Sequence, residues 1–227
     1  RSSAASDVYK RQQQDVHVRT FPALQVVCEK MWKGENVQHV SYAQFEALCQ
    51  STPEAPGVNL LAKVPRRTVL TDTDKEITLS GTDVVTTSVD EIGYPYAVEF
   101  ELCPDSIPNI DAVLFKGPHS EFVTNWQNTG KFAFRRDGYE FVFHAYRLPE
   151  SKWTKVRVEG DVKGTSLFID GQLQERLEGR IGEVFNAKSQ KKDRIWYQET
   201  LIFPLKQLGD TQMGFKGKMK NVICIPR

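Results

Sequence analysis

Long apolar runs are missing from this 227-residue chain. Nothing in it approaches the ~18 consecutive apolar residues that a membrane span requires, and no basic, apolar and small-residue succession marks a secretory signal. Charge of one sign is missing too: 30 Lys and Arg face 29 Asp and Glu, so no global field draws the chain to nucleic acid or to an anionic membrane. No nucleic-acid partner and no membrane span are expected. Cysteine is scarce, and Cys28, Cys49, Cys103 and Cys224 contain no Cys-x-x-Cys pair, the spacing from which zinc sites are usually built. His17, His39, His119 and His144 are isolated, and Asp83, Asp90 and Asp161 are carboxylates without the grouping that calcium requires. No metal and no cofactor is expected.

What the chain does have is alternation. Between Trp153 and Leu173, Thr154, Val156 and Val158 alternate with Lys155, Arg157 and Glu159, the period-two pattern of a strand with one buried and one wet face. Asp161 to Gly164 supplies turn residues, Leu167 to Ile169 a return strand, and Asp170-Gly171 the positive φ angles of a second tight turn into Leu173. Strand signals begin at Glu76-Ile77-Thr78-Leu79 and recur at the spacing of an all-β sandwich. Tyr94 to Leu102, Ala112 to Phe115 and Glu121 to Trp126 are further strands, and Phe132 to Phe143 forms an aromatic hairpin around Asp137-Gly138. Phe215 to Ile225 reads as the closing strand. The thirteen Phe residues, each burying about 150 to 250 Å², supply much of one core. Only the basic, Gln-rich stretch Arg180 to Gln198 interrupts the rhythm, and it reads as a long loop.

The opening is different. Residues 1–14 carry neither periodicity and read as a non-native or disordered leader. From Phe21 onward, Leu24, Val27, Cys28, Met31 and Trp32 recur on one helical stripe; Pro22 sits in the first turn and Gly34 caps the end. Ser41 and Gln44 form a Ser-x-x-Gln capping box for a second short helix whose stripe is Tyr42, Phe45, Leu48 and Cys49. Two helices this short cannot bury their apolar faces on each other alone, because a unit below ~40 residues rarely has enough core. They are expected to pack on a body, with Cys28 and Cys49 as small core residues. Residues 53–75, with Pro53, Pro56, Gly57 and Pro65, read as a linker.

Two resemblances follow from these residues. The Trp153 to Leu173 run, with its opening Trp, polar turn, apolar strand and Asp-Gly, resembles the laminin-G-like, concanavalin-A-like jelly rolls. That implies a mainly β fold: a jelly-roll β-sandwich over 76–227, preceded by two short helices. The Phe21-Pro22-Ala23-Leu24 and Cys28-Glu29-Lys30-Met31-Trp32 segments, followed by Ser41 and Phe45, are similar to the closing helices of the (β/α)8 barrel in glycoside hydrolase family 20. The departures are Ala23, where an Arg is common, and Cys28, where an Ala is common. This second resemblance implies that 15–52 is the end of a truncated barrel in a bacterial, exported β-N-acetylhexosaminidase-like protein, with an extracellular or periplasmic location and the missing barrel as partner. The other expectation is a free-standing laminin-G-like lectin or adhesin without catalysis.

No catalytic residue is expected in the chain itself. A glycosidase needs two carboxyls about 5 to 10 Å apart, and Glu99 and Glu101, about 7 Å apart on one strand face, have no third acid to raise either pKa. In family 20 an Asp-Glu pair on a middle barrel strand performs the substrate-assisted step, and that pair would lie upstream of Phe21; Asp90-Glu91 is in the wrong context. Glycan binding is the remaining chemistry, because aromatic rings stack on pyranoses while neighbouring amides bond their hydroxyls. Trp126 with Asn125 and Asn128 is the first candidate cluster, and Trp196 with Tyr197 the second. A disulfide between Cys103 and Cys224 stays open.

Overall fold

The structure, a computed structural model, describes residues 24–28, 30–31, 41–51, 62–106, 108–136, 139–161, 163–186, 188–197 and 202–227. The chain divides into two compact units, Arg1–Ala62 and Lys63–Arg227.

In the first unit, residues 24–28 and 30–31 are helical, and a second helix runs Tyr42–Ser51. The capping box forms as expected: Gln44 N–H donates to Ser41 Oγ at 3.3 Å, and Ser41 N–H donates to Gln44 Oε1 at 3.0 Å. These bonds satisfy donors that a helix start otherwise leaves orphaned. Of the described side chains on the apolar stripes, all but the half-buried Phe45 are exposed. Leu24, Val27, Met31, Tyr42 and Leu48 are all exposed, and Cys28 is exposed as well, which corrects its reading as a core residue. Trp32, Phe21 and Pro22 lie outside the described residues.

The second unit is a jelly-roll sandwich of two antiparallel sheets. One sheet has seven strands: β1 (Thr68–Val69), β2 (Ile77–Ser80), β5 (Tyr96–Pro104), β10 (Thr154–Gly160), β11 (Gly164–Ile169), β12 (Gln172–Glu178) and β17 (Lys216–Pro226), in the order β1-β17-β5-β10-β11-β12 with β2 also on β17. The other has six: β3 (Val84–Thr86), β6 (Ala112–Lys116), β7 (Ser120–Trp126), β8 (Lys131–Arg136), β9 (Tyr139–Val142) and β16 (Gln207–Gly209), ordered β3-β16-β6-β7-β8-β9. A short pair, β4 (Glu91–Ile92) with β15 (Phe203–Pro204), stands beside them. Because β1 falls inside the stretch read as a linker, the sandwich takes in residues well before Glu76.

Alternation places the core. Val156 and Val158 of β10 are buried while Lys155 is exposed and Arg157 and Glu159 are half-buried. The tight turn into β12 has positive φ at Asp170 and Gly171, as its Asp-Gly sequence predicts. Between the sheets, Phe100 of β5 meets Phe115 of β6 edge-on at 4.9 Å, and Phe122 of β7 stacks on Phe132 of β8 at 5.5 Å. Phe203 closes on Phe115 at 5.2 Å. Edge-to-face pairs of this kind contribute ~0.5 to 1.5 kcal/mol each beyond their buried area.

Two expectations are corrected. The stretch read as a long loop is a hairpin, β13 (Arg180–Asn186) with β14 (Lys191–Tyr197), paired from Arg180 opposite Tyr197 to Asn186 opposite Lys191. Its period-two signal was masked by charge, with Lys191, Lys192, Asp193 and Arg194 in succession. The disulfide left open does not form: Cys103 and Cys224 are free thiols. Cys224 pairs opposite the inward-facing Val98, whereas Cys103 pairs opposite Lys218 on the outer face, so their Cβ atoms point away from each other.

Candidate functional site

Each sheet has an outer face, and the two differ in kind. On the seven-stranded sheet, β5 carries Glu99 and Glu101 outward, and both are occupied. Arg157 bonds Glu99, Lys220 lies 3.6 Å from Glu101, and Asn221 Nδ2 donates to Glu101 Oε1 at 3.0 Å. Arg227 and Arg157 both hold Glu159. The face is a lattice of opposite charges in which Glu99, Glu101 and Glu159 each have a basic or amide partner.

The outer face of the six-stranded sheet is built in rows. Strand pairing sets Val113, Val123, Ala133 and Val142 side by side across β6 to β9; the first three are buried, and Trp126 and Val142 pack against them. Buried residues on the outside of a sandwich mean that something covers them. The cover is polar. Arg135 reaches Asp111 Oδ2 and Glu140 Oε1, both at 2.8 Å, and Glu140 Oε2 accepts the Trp126 indole N–H at 2.9 Å. Burial works against the Arg135 charge, and its bonds to Asp111 and Glu140 outweigh that, holding its pKa above the ordinary value.

The turn after Trp126 is itself tied down. Asn125, Gln127 and Asn128 all have positive φ, a conformation that Asn tolerates better than most residues. Asn125 is buried, donates to Asn109 O at 3.1 Å and accepts Gly130 N–H at 2.9 Å. Asp111 Oδ1 accepts Gln127 N–H at 2.6 Å, so one carboxylate serves both the turn and Arg135. His144 meets the Trp126 ring edge-on at 6.2 Å, and Lys131 Nζ lies 3.5 Å from His144 Nδ1. The result is a half-buried, oriented indole rimmed by Asp111, Lys131, Arg135, Glu140 and His144.

Of the residues expected from sequence, Trp126 therefore sits on this face. Asn125 is committed to holding the turn, and Asn128 is exposed there with its Oδ1 3.3 Å from Asn125 Nδ2. Trp196 and Tyr197 are elsewhere, on β14, opposite Ile181 and Arg180 in the separate hairpin. Sequence reasoning missed Asp111, Lys131, Arg135, Glu140 and His144. A signal existed, since Lys131, Ala133 and Arg135 alternate with Phe132 and Phe134, and Glu140 and Val142 alternate with Phe141. Among the described residues no group of three His, Cys, Asp or Glu could hold a metal, and no helix is long and apolar enough to cross a membrane.

No protein-family model matches the sequence, and no curated protein matches it either. Solved structures do. Domain 4 of an extracellular GH43 arabinanase from Geobacillus stearothermophilus, solved with arabinotriose, matches at a TM-score of 0.48 and 14% identity over 70% of this chain and 75% of its own. The carbohydrate-binding module CBM66 of Bacillus subtilis matches at 0.33 and 12% over 70% and 90%. A prokaryotic β-1,3-1,4-glucanase from a mouse hindgut metagenome matches at 0.33 and 13% over 63% and 70%. At such identities no residue of theirs is carried over to this chain.

Proposed function

We propose that the sandwich is a non-catalytic, carbohydrate-contacting module and that Trp126 is its stacking platform. The observation that carries this reading is the tethered indole. A tryptophan half-buried on an outer sheet face, with its N–H bonded to Glu140 and a turn locked beside it, keeps one ring orientation without a ligand. A pre-oriented ring loses little entropy when a flat sugar face settles on it, and the polar rim offers donors and acceptors to the hydroxyls. Isothermal titration of the chain against a panel of oligosaccharides tests it. Trp126→Ala is expected to weaken binding by about 1.4 kcal/mol or more, roughly tenfold in Kd. Unchanged affinity in that variant removes the platform.

The helical unit supports the second part of the reading: the module serves a larger glycoside hydrolase, exported and β-N-acetylhexosaminidase-like. Met31 is 79% exposed and Tyr42 77% exposed, apolar groups on stripes that need a body to cover them, and the resemblance of these helices to the end of a barrel names one. This chain alone is then inert towards chromogenic N-acetylhexosaminides, because the Asp-Glu pair belongs to the barrel. Turnover by the isolated chain overturns this assignment, as does a native reading frame upstream that encodes no barrel.

A further inference from the structure

We infer that the tip of the β13–β14 hairpin is a docking point for an anionic lipid surface, its lysines meeting the headgroups and the Phe185 ring entering beside them. The inference is independent of the Trp126 platform, which lies on another element.

The charge of the chain is not spread evenly. Residues 180–197 hold Arg180, Lys188, Lys191, Lys192 and Arg194 against Glu183 and Asp193, five bases to two acids, in a chain whose formal net charge is +1. Register sets Glu183 opposite Arg194 and Asp193 opposite Val184, so both acids lie towards the base of the hairpin. From Phe185 to Lys192 the sequence has three lysines and no acid. Phe185 is 60% exposed, and Lys188, Ser189, Gln190, Lys191 and Lys192 are exposed with it. Phe185 stands opposite Lys192, and directly opposed residues share one face of a strand pair. The hairpin belongs to neither main sheet, and β13 leaves the edge strand β12 after a single residue, Gly179. The tip is thus the end of a two-stranded arm, roughly 20 Å from its base at about 3.3 Å per residue.

Lysines alone would make a solvated tip. With Phe185 on the same arm, a bilayer surface answers both kinds of group at once: anionic headgroups attract the basic side chains, and the acyl boundary takes an aromatic ring. At 0.1 M salt that attraction reaches only about 10 Å, so the charge of the arm counts and the near-neutral total of the chain does not. Nucleic acid fits less well, because single strands are held by successive rings along a basic groove, and the tip presents one ring on a narrow arm.

The test is co-sedimentation of the full chain with vesicles of phosphatidylcholine alone and with about one-third phosphatidylserine, with a single-stranded oligonucleotide as a separate probe. The expected result is at least tenfold tighter partition onto the anionic vesicles, a preference that fades with salt. K188Q/K191Q/K192Q removes the preference, Phe185→Ser weakens partition severalfold, and Lys155→Gln, exposed on β10, changes neither. Equal partition onto neutral and anionic vesicles, or anionic binding that survives the triple substitution, overturns the docking site. Binding that Phe185→Ser leaves intact overturns the inserted ring, and tighter binding of the oligonucleotide than of either vesicle overturns the partner class. Melting curves of each variant separate lost binding from lost folding.

Discussion

At Gly160 an added Cβ would stand 2.5 Å from Cε1 and 2.7 Å from Cζ of Tyr96, a ring that is itself fully buried. Close-packed interiors have no spare volume to receive it, so Gly160→Ala is expected to cost ~1 to 3 kcal/mol, read as a lowered urea midpoint with an unchanged slope. Charge at single residues sets a pH limit. The Lys116 ammonium, 2.7 Å from Asp210, holds the Asp210 carboxyl below its usual value of 3.8, aided by backbone N–H groups of Gln212 and Met213 and opposed by burial. A depressed carboxyl pKa adds stability that is present above pH 3.8 and drains away as pH falls through the lowered value. Lys116→Met should therefore be less stable than the parent at pH 6, with the gap closing below about pH 4; chemical denaturation across that range measures it. A constant gap assigns the loss to packing.

Among the elements, β10 and its turns were legible because burial on one face writes period two directly into the residues, and Asp170-Gly171 names its own turn. Ser41 and Gln44 were equally plain, a local device read from local sequence. The β13–β14 hairpin was not: strands outside both sheets are under no pressure to alternate apolar with polar, so the signal dissolves into Lys191, Lys192 and Arg194. The rim around Trp126 was invisible for another reason. Asp111, Trp126, Arg135 and Glu140 lie on four strands or their ends, and only the pairing register brings them within bonding distance. The hairpin's independence has a measurable side. Because β13 and β14 pair with each other and with no strand of either main sheet, replacing residues 180–197 with a short Gly-Asn turn should leave the melting temperature within a few degrees of the parent. A collapse of folding would show that the hairpin is part of the core.

For the molecule as a whole, the division at Ala62 and Lys63 and the continuous aromatic core of the second unit describe a body that carries its own stabilisation. Expressed alone, residues 63–227 are expected to unfold in one cooperative transition with coincident fluorescence and circular-dichroism curves. Two separated transitions would mean that the two sheets do not share one core. The helical unit has no comparable core among its described residues, and its exposed stripes make it the part that depends on other surroundings.

The position of β17 also sets the order in which this molecule can be completed. This strand, which follows the others of its sheet in chain order, lies in the interior, hydrogen-bonded to β5 on one side and to β1 and β2 on the other. During synthesis the first three strands of that sheet therefore wait with raw edges until residues 216–226 leave the ribosome, and raw edges recruit strangers. A nascent chain of this kind gains more from a holding chaperone than from speed, and losing residues 216–226 would do more harm than losing residues 1–60.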